Sequence, residues 1–71
     1  MIPSELWNVT LLSGETVRAQ VTMRDGYFVA RVERRGVPNE SAAMKPRAAI
    51  LRAVDMAGML GDVASLAKEG A

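Results

Sequence analysis

The stretch that decides the fold is residues 16–35, TVRAQVTMRDGYFVARVERR. Its first eight residues alternate strictly between polar and apolar side chains, which is the pattern of a strand with one buried face. The dipeptide Asp25-Gly26 follows and favours a two-residue hairpin turn with positive φ angles. Such a turn sets Met23 opposite Phe28 and keeps apolar residues facing apolar residues along both strands. The sequence therefore predicts an antiparallel hairpin in a single register.

A further strand is predicted upstream of this hairpin. A two-residue turn at Ser13-Gly14 would mix the two faces, because a shift of one residue reverses every side chain. A three-residue loop through Gly14 instead sets Val9 beside Ala19, and glycine accepts the left-handed backbone that such loops need. The expected sheet is a three-stranded antiparallel meander over residues 6–12, 16–23 and 27–35.

The C-terminal half of the chain has helical spacing of its apolar residues. These residues form a stripe around Ile50 and Val54, which predicts a helix over residues 46–59 that covers one face of the sheet. The start of this helix is open between Ser41, a suitable cap, and Pro46, a suitable first helical residue. A short last helix or turn is expected over residues 62–68. The whole is one small α+β domain, residues 1–71.

The residue inventory argues against catalysis. The chain has no cysteine and no histidine. It therefore lacks the commonest general base, the commonest metal ligand and the commonest low-pKa nucleophile. Gly14 and Gly26 stand singly and match no phosphate-binding loop. We expect a non-enzymatic protein that uses no cofactor and no metal.

The location expected from the sequence is the cytoplasm. No apolar run approaches the roughly 18 residues that a membrane-spanning helix needs. Residues 1–5 also lack the basic region that opens a signal peptide. We therefore expect no membrane contact.

A cluster of basic side chains indicates a contact surface, although the net charge is only +1. A protein partner is the first expectation, with Tyr27 as the aromatic anchor. Nucleic-acid binding is the alternative, but a single tyrosine offers little stacking surface and Glu33 offsets part of the charge. A structural subunit of a larger assembly is the third reading. The candidate arginines are Arg18, Arg31, Arg34 and Arg35.

The two edges of the predicted sheet differ in charge. The third strand carries several charged residues, which discourage pairing with another chain. Residues 6–12 carry neither charge nor proline, and Leu6 and Leu12 add apolar surface. This edge is expected to accept a strand from a target or from a second copy, giving a homodimer through residues 6–12. The alternative is that the C-terminal segment or the N-terminal residues cover it.

One family resemblance bears on function. The run Tyr27-Phe28-Val29-Ala30-Arg31-Val32-Glu33-Arg34, followed by a polar turn and the alanine-rich helix over residues 48–57, resembles some small phage anti-CRISPR proteins. The likeness covers about half the chain. It implies a stoichiometric inhibitor that binds a bacterial defence complex through surface charges, without catalysis. No functional residue is carried over from it.

Overall fold

The computed structural model describes residues 4–69, which form an α+β fold. Within that range the chain makes a five-stranded antiparallel sheet in the order β4-β3-β2-β1-β5. The first four strands are a meander, and the fifth adds to the outer edge of β1. The elements are β1 (Ser4–Leu11), β2 (Thr16–Arg24), β3 (Tyr27–Arg34), β4 (Val37–Ala43), helix α1 (Pro46–Met56), a 3₁₀ turn (Leu60–Asp62) and β5 (Val63–Lys68).

The central hairpin confirms the predicted register. Met23 lies opposite Phe28, and Ala19 lies opposite Val32. Asp25 and its neighbour Gly26 have φ angles of 47° and 85°. Two successive positive φ angles are what a two-residue turn needs to match the right-handed twist of its strands.

The first hairpin has the predicted loop length but a different register. Val9 lies opposite Val17, an offset of two residues from the predicted pairing. The loop is residues 12–14, in which the Gly14 amide donates to the Leu11 carbonyl at 2.9 Å. Gly14 has a φ of 91° and closes the loop. In three-residue hairpin loops the left-handed residue is the last of the three, not the middle one, so glycine occupies the third position. An even offset leaves the buried face unchanged.

Strand β4 was not predicted. Arg35 and Gly36 form a second two-residue turn, with φ angles of 54° and 79°, that sends residues 37–43 back along β3. Pro38 is tolerated because the residues flanking such a turn exchange hydrogen bonds, so the nitrogen of the next residue points away from the neighbouring strand. A proline there removes no hydrogen bond from the sheet.

The helix begins at Pro46, so the alternative start at Ser41 is wrong. Lys45 is extended, with φ −132° and ψ 146°, as expected of a residue before proline. The helix ends at Met56, earlier than predicted. Gly58 follows with a φ of 77°, and the Met59 amide donates to the Val54 carbonyl at 3.0 Å. This is the usual glycine-terminated helix end.

The last segment is a strand rather than the predicted helix or turn. β5 pairs antiparallel with β1, setting Leu66 opposite Val9. Before it, the Leu12 amide donates to the Asp62 carbonyl at 2.7 Å. A six-residue helix is unstable alone, whereas the unpaired backbone groups of β1 offer a full ladder. The predicted open edge at residues 6–12 is therefore wrong, and a homodimer through that edge has no free strand. The alternative, coverage by the C-terminal segment, is confirmed.

The core lies between the sheet and the helix. The helix packs across β3 and β4 and reaches β2. Trp7 is only 9% exposed, as expected for a core residue. Each fully buried aliphatic side chain contributes about 1.5 to 3 kcal/mol by leaving water. The largest fully buried side chains are Ile50, Met59, Val9, Val21, Val32 and Val54.

The helical content of residues 4–69 bears on membrane contact. Helix α1 has only 11 residues. Within the described range no helix combines the length and the apolar character needed to cross a bilayer.

Candidate binding groove on the open face of the sheet

The face of the sheet opposite α1 carries a shallow groove of about 490 Å³. Alternate residues of β2 and β3 point to this face, because neighbouring residues of a strand point in opposite directions. The groove is wide open, so it suits a contact surface better than a closed ligand cavity. Its charged lining residues are Arg18, Arg31, Arg34, Arg35, Glu15 and Glu33.

Five of the seven residues predicted to bind a partner line this groove. They are brought together by two hairpins: Arg18 lies on β2, Arg31 lies on β3, and Arg35 lies in the β3–β4 turn. Leu6 joins them from β1 and is 39% exposed. These five are Leu6, Arg18, Arg31, Arg34 and Arg35.

Tyr27 and Leu12 lie outside the groove. Tyr27 is half-buried at the start of β3, on the same face but at the other end of the strand. Leu12 is 71% exposed in the first turn. The structure therefore does not bring the predicted aromatic anchor to the arginines.

The arginines differ in how they are held. Arg18 Nε lies 3.4 Å from Glu69 Oε2, and both side chains are largely exposed. An ion pair of this kind contributes little, about 0 to 1 kcal/mol. Arg31 lies opposite Gln20 on one side and Glu40 on the other. Among residues 4–69, no salt bridge engages Arg31 or Arg35. Those two guanidinium groups have no carboxylate bound to them there.

Arg34 has a structural contact of its own. Its Nη1 donates to the Ala57 carbonyl at 3.5 Å, just past the end of α1. A cation is favourable there because the last carbonyls of a helix carry partial negative charge. Arg34 also lines a second hollow of about 330 Å³, together with Val37 and Met56. Arg34 therefore joins the rim of the groove to the helix.

Two carboxylates that shape the surface were missed by the sequence analysis. Glu69 reaches Arg18 only because β5 pairs with β1. Glu5 Oε2 lies 2.8 Å from Lys68 Nζ, and its Oε1 accepts from Trp7 Nε1 at 3.3 Å. The bond from Lys68, assisted by that from Trp7, lowers the pKa of Glu5. Neither contact was predictable without β5.

The chemistry available in this region is that of polar contact. Within residues 4–69, histidine, cysteine, aspartate and glutamate side chains nowhere gather in the groups of three or more that hold a metal ion.

Comparison of the chain with protein-family models, with curated proteins and with solved structures finds no match.

Proposed function

We propose that this chain is a non-enzymatic binding module whose groove receives an acidic segment of a partner protein. The observation that carries the proposal is a groove on the face that α1 leaves uncovered, lined by Arg18, Arg31 and Arg35, with Arg34 at its rim bonded to the end of the helix. A guanidinium group presents donors in a rigid fork that matches a carboxylate. The arginines without a bound carboxylate, Arg31 and Arg35, are the best placed to accept one.

The groove also supports a modest rather than a tight complex. Exposed charges mainly accelerate and orient association, and affinity needs a desolvated apolar contact. Leu6 is the apolar side chain available within the groove. We therefore expect an acidic segment that also carries an aliphatic residue, and a complex at the weak end of the usual range.

Nucleic acid is the second candidate, favoured by the same arginines. Single-stranded nucleic acids are bound by aromatic side chains that stack on bases along a basic track. No aromatic side chain lines the groove, and Tyr27 lies outside it. Glu15 and Glu33 would repel phosphates and carboxylates alike, so they do not separate the two candidates. The lack of an aromatic stacking surface in the groove favours a carboxylate-bearing protein over a nucleic acid.

The biological setting is a separate proposal. The resemblance to anti-CRISPR proteins implies a bacterial defence complex as the partner and stoichiometric inhibition as the mode. An arginine groove fits this mode, because a protein that binds its target through surface charges can cover a functional surface of that target without a catalytic step. A structural subunit of a larger assembly would use the same groove for permanent contact.

The test compares two double variants that each remove two positive charges. Arg18→Gln with Arg31→Gln removes two of the positive charges that line the groove. Lys45→Gln with Arg47→Gln removes two exposed charges near the start of α1. Binding is measured by fluorescence anisotropy with an acidic, leucine-containing peptide and with single-stranded DNA of equal charge. We expect the groove variant to bind the peptide about tenfold more weakly, corresponding to about 1.4 kcal/mol, and the control to bind as the natural chain does.

Each other outcome overturns part of the proposal. An equal loss of peptide affinity in both variants would mean that the peptide is attracted by the net charge of the protein and does not bind in the groove. Tighter binding to DNA, lost in the groove variant and steeply salt-dependent, would establish the nucleic-acid alternative. No measurable binding to either probe would remove the acidic-segment proposal.

A further inference from the structure

Among residues 4–69, β5 forms an edge of the sheet that is only lightly protected, by Lys68 at its end and by an irregular pairing with β1 near Leu11. From Val63 to Ala67 it has no charge and no proline. Three of its residues, Ala64, Ser65 and Ala67, are small and exposed. A strand of this kind presents unpaired amides and carbonyls to another chain.

The hydrogen-bond pattern identifies which backbone groups are presented. The Glu69 amide donates to the Leu6 carbonyl at 2.8 Å, so Glu69 bonds to β1. In an antiparallel ladder such residues alternate with residues whose backbone groups point the other way. Leu66 and Lys68 therefore direct their amides and carbonyls outward, away from β1.

The sequence of β5 is complementary to itself when two copies run antiparallel. A register centred on Leu66 lets the outward groups of the two Leu66 residues bond to each other. Ser65 of one copy then lies opposite Ala67 of the other, so small residues face each other on the open side. The two half-buried Leu66 side chains meet on the side of the core.

Charge also fits this register. Lys68, the charged residue at the end of β5, falls opposite Ala64 rather than opposite another cation. Lys68 Nζ already lies 2.8 Å from Glu5 Oε2 of its own chain, so its charge is paired before a second copy arrives. This register directly opposes no like charges.

We propose that β5 is a self-association surface, through which two copies of this chain pair antiparallel about Leu66 to form a continuous ten-stranded sheet. The two-fold axis is perpendicular to the sheet, so the helices of both copies lie on one side and both arginine grooves lie on the other. The contact is short, which makes the dimer weak and concentration-dependent. A partner with two acidic segments would engage both grooves at once.

The test is a pair of double variants at the exposed positions that face each other. Ser65→Lys with Ala67→Lys opposes lysine to lysine across the axis, whereas Ser65→Lys with Ala67→Glu opposes lysine to glutamate. Sedimentation velocity from micromolar to millimolar protein should show a monomer–dimer equilibrium for the natural chain. We expect the dissociation constant to rise at least about tenfold in the first variant and not to rise in the second.

A cross-linking experiment tests the register independently. The natural chain has no cysteine. Under mild oxidation, an equimolar mixture of Ser65→Cys and Ala67→Cys should therefore give more disulfide-linked dimer than either variant alone. A sedimentation coefficient that stays monomeric at all concentrations would overturn the proposal. A dissociation constant that neither the double-lysine variant nor the lysine–glutamate variant changes would also overturn it. Circular dichroism of each variant shows whether a weaker dimer results from loss of fold.

Discussion

The two edge strands of this sheet are attached and protected in different ways. β4 arrives through a tight turn and lies beneath α1. Its free edge carries Pro38 and Glu40, and the Ala42 carbonyl accepts a bond from Arg52 Nη1 at 3.3 Å. β5 arrives after the helix, pairs with a strand from the other end of the chain, and has an irregular pairing near Leu11. Within residues 4–69 its outer edge is charged only at Lys68, it has no proline, and α1 packs over the other side of the sheet.

The difference shows that a chain this small can place its single helix over only one of its two edge strands. A single helix of 11 residues cannot cover five strands, and it lies over the β4 side. The β5 side depends on its backbone ladder, on two half-buried side chains, Val63 and Leu66, and on two largely exposed ion pairs. Segments with few buried contacts open most readily, so β5 should exchange its amide hydrogens faster than β3 does.

The largest expected effect tests whether the helix anchors the β4 side. Ile50 is fully buried, so Ile50→Ala should lower the free energy of unfolding by about 2 to 5 kcal/mol. Met56 lies on the same helix but is 60% exposed, and Met56→Ala should change it by less than about 0.5 kcal/mol. Urea denaturation followed by tryptophan fluorescence measures both. Equal effects of the two substitutions would contradict the described packing of α1.

The next effect concerns the turn that delivers β4. Gly36 has a φ of 79°, a conformation that side chains disfavour, whereas Gly61 lies outside that range. A Cβ added at either position would meet no atom within 4 Å, so the two glycines differ in backbone alone. Gly36→Ala should therefore destabilise the protein by about 1 kcal/mol. Gly61→Ala should change stability by less than about 0.5 kcal/mol. Thermal melts of both variants would decide, and equal melting temperatures would count against the turn.

The parts of the fold that were predictable are those set by neighbouring residues. Asp25-Gly26 and strict alternation are local, and they fixed the β2–β3 register. The loop before β2 was predicted in length but misplaced, because the left-handed position within it was assigned wrongly. β4 was missed since Pro38 reads as a strand breaker unless the direction of its nitrogen is known.

What could not be predicted depends on contacts between distant parts of the chain. The segment 62–68 is too short for its apolar pattern to distinguish a helix from a strand. It becomes a strand because the edge of β1 offers it hydrogen-bond partners. Arg18 and Arg31 followed from alternation along β2 and β3, whereas Arg34 points toward the end of the helix and Arg35 lies in the turn. Glu69, the carboxylate neighbour of Arg18, did not follow from alternation, because it reaches Arg18 only through β5.

The smallest effect concerns the ion pair that ties β5 to β1. Lys68 and Trp7 lower the pKa of Glu5, so the folded state resists protonation of this carboxylate more than the unfolded state does. The stabilisation is then present above about pH 4.3, the ordinary value for glutamate, and is lost as the pH falls through the lower value of the folded state. Because both partners are partly exposed, Glu5→Gln should cost only about 0.5 kcal/mol at neutral pH.

The decisive measurement is the difference between the natural chain and Glu5→Gln at two pH values. Urea denaturation at neutral pH should show the loss, and the same experiment near pH 3 should show a smaller one. Asp55→Asn removes an exposed carboxylate from α1 that makes no salt bridge within residues 4–69, so it should cost less at neutral pH. A loss for Glu5→Gln that stays constant with pH would mean that its packing beside Trp7, and not its charge, holds β5 in place.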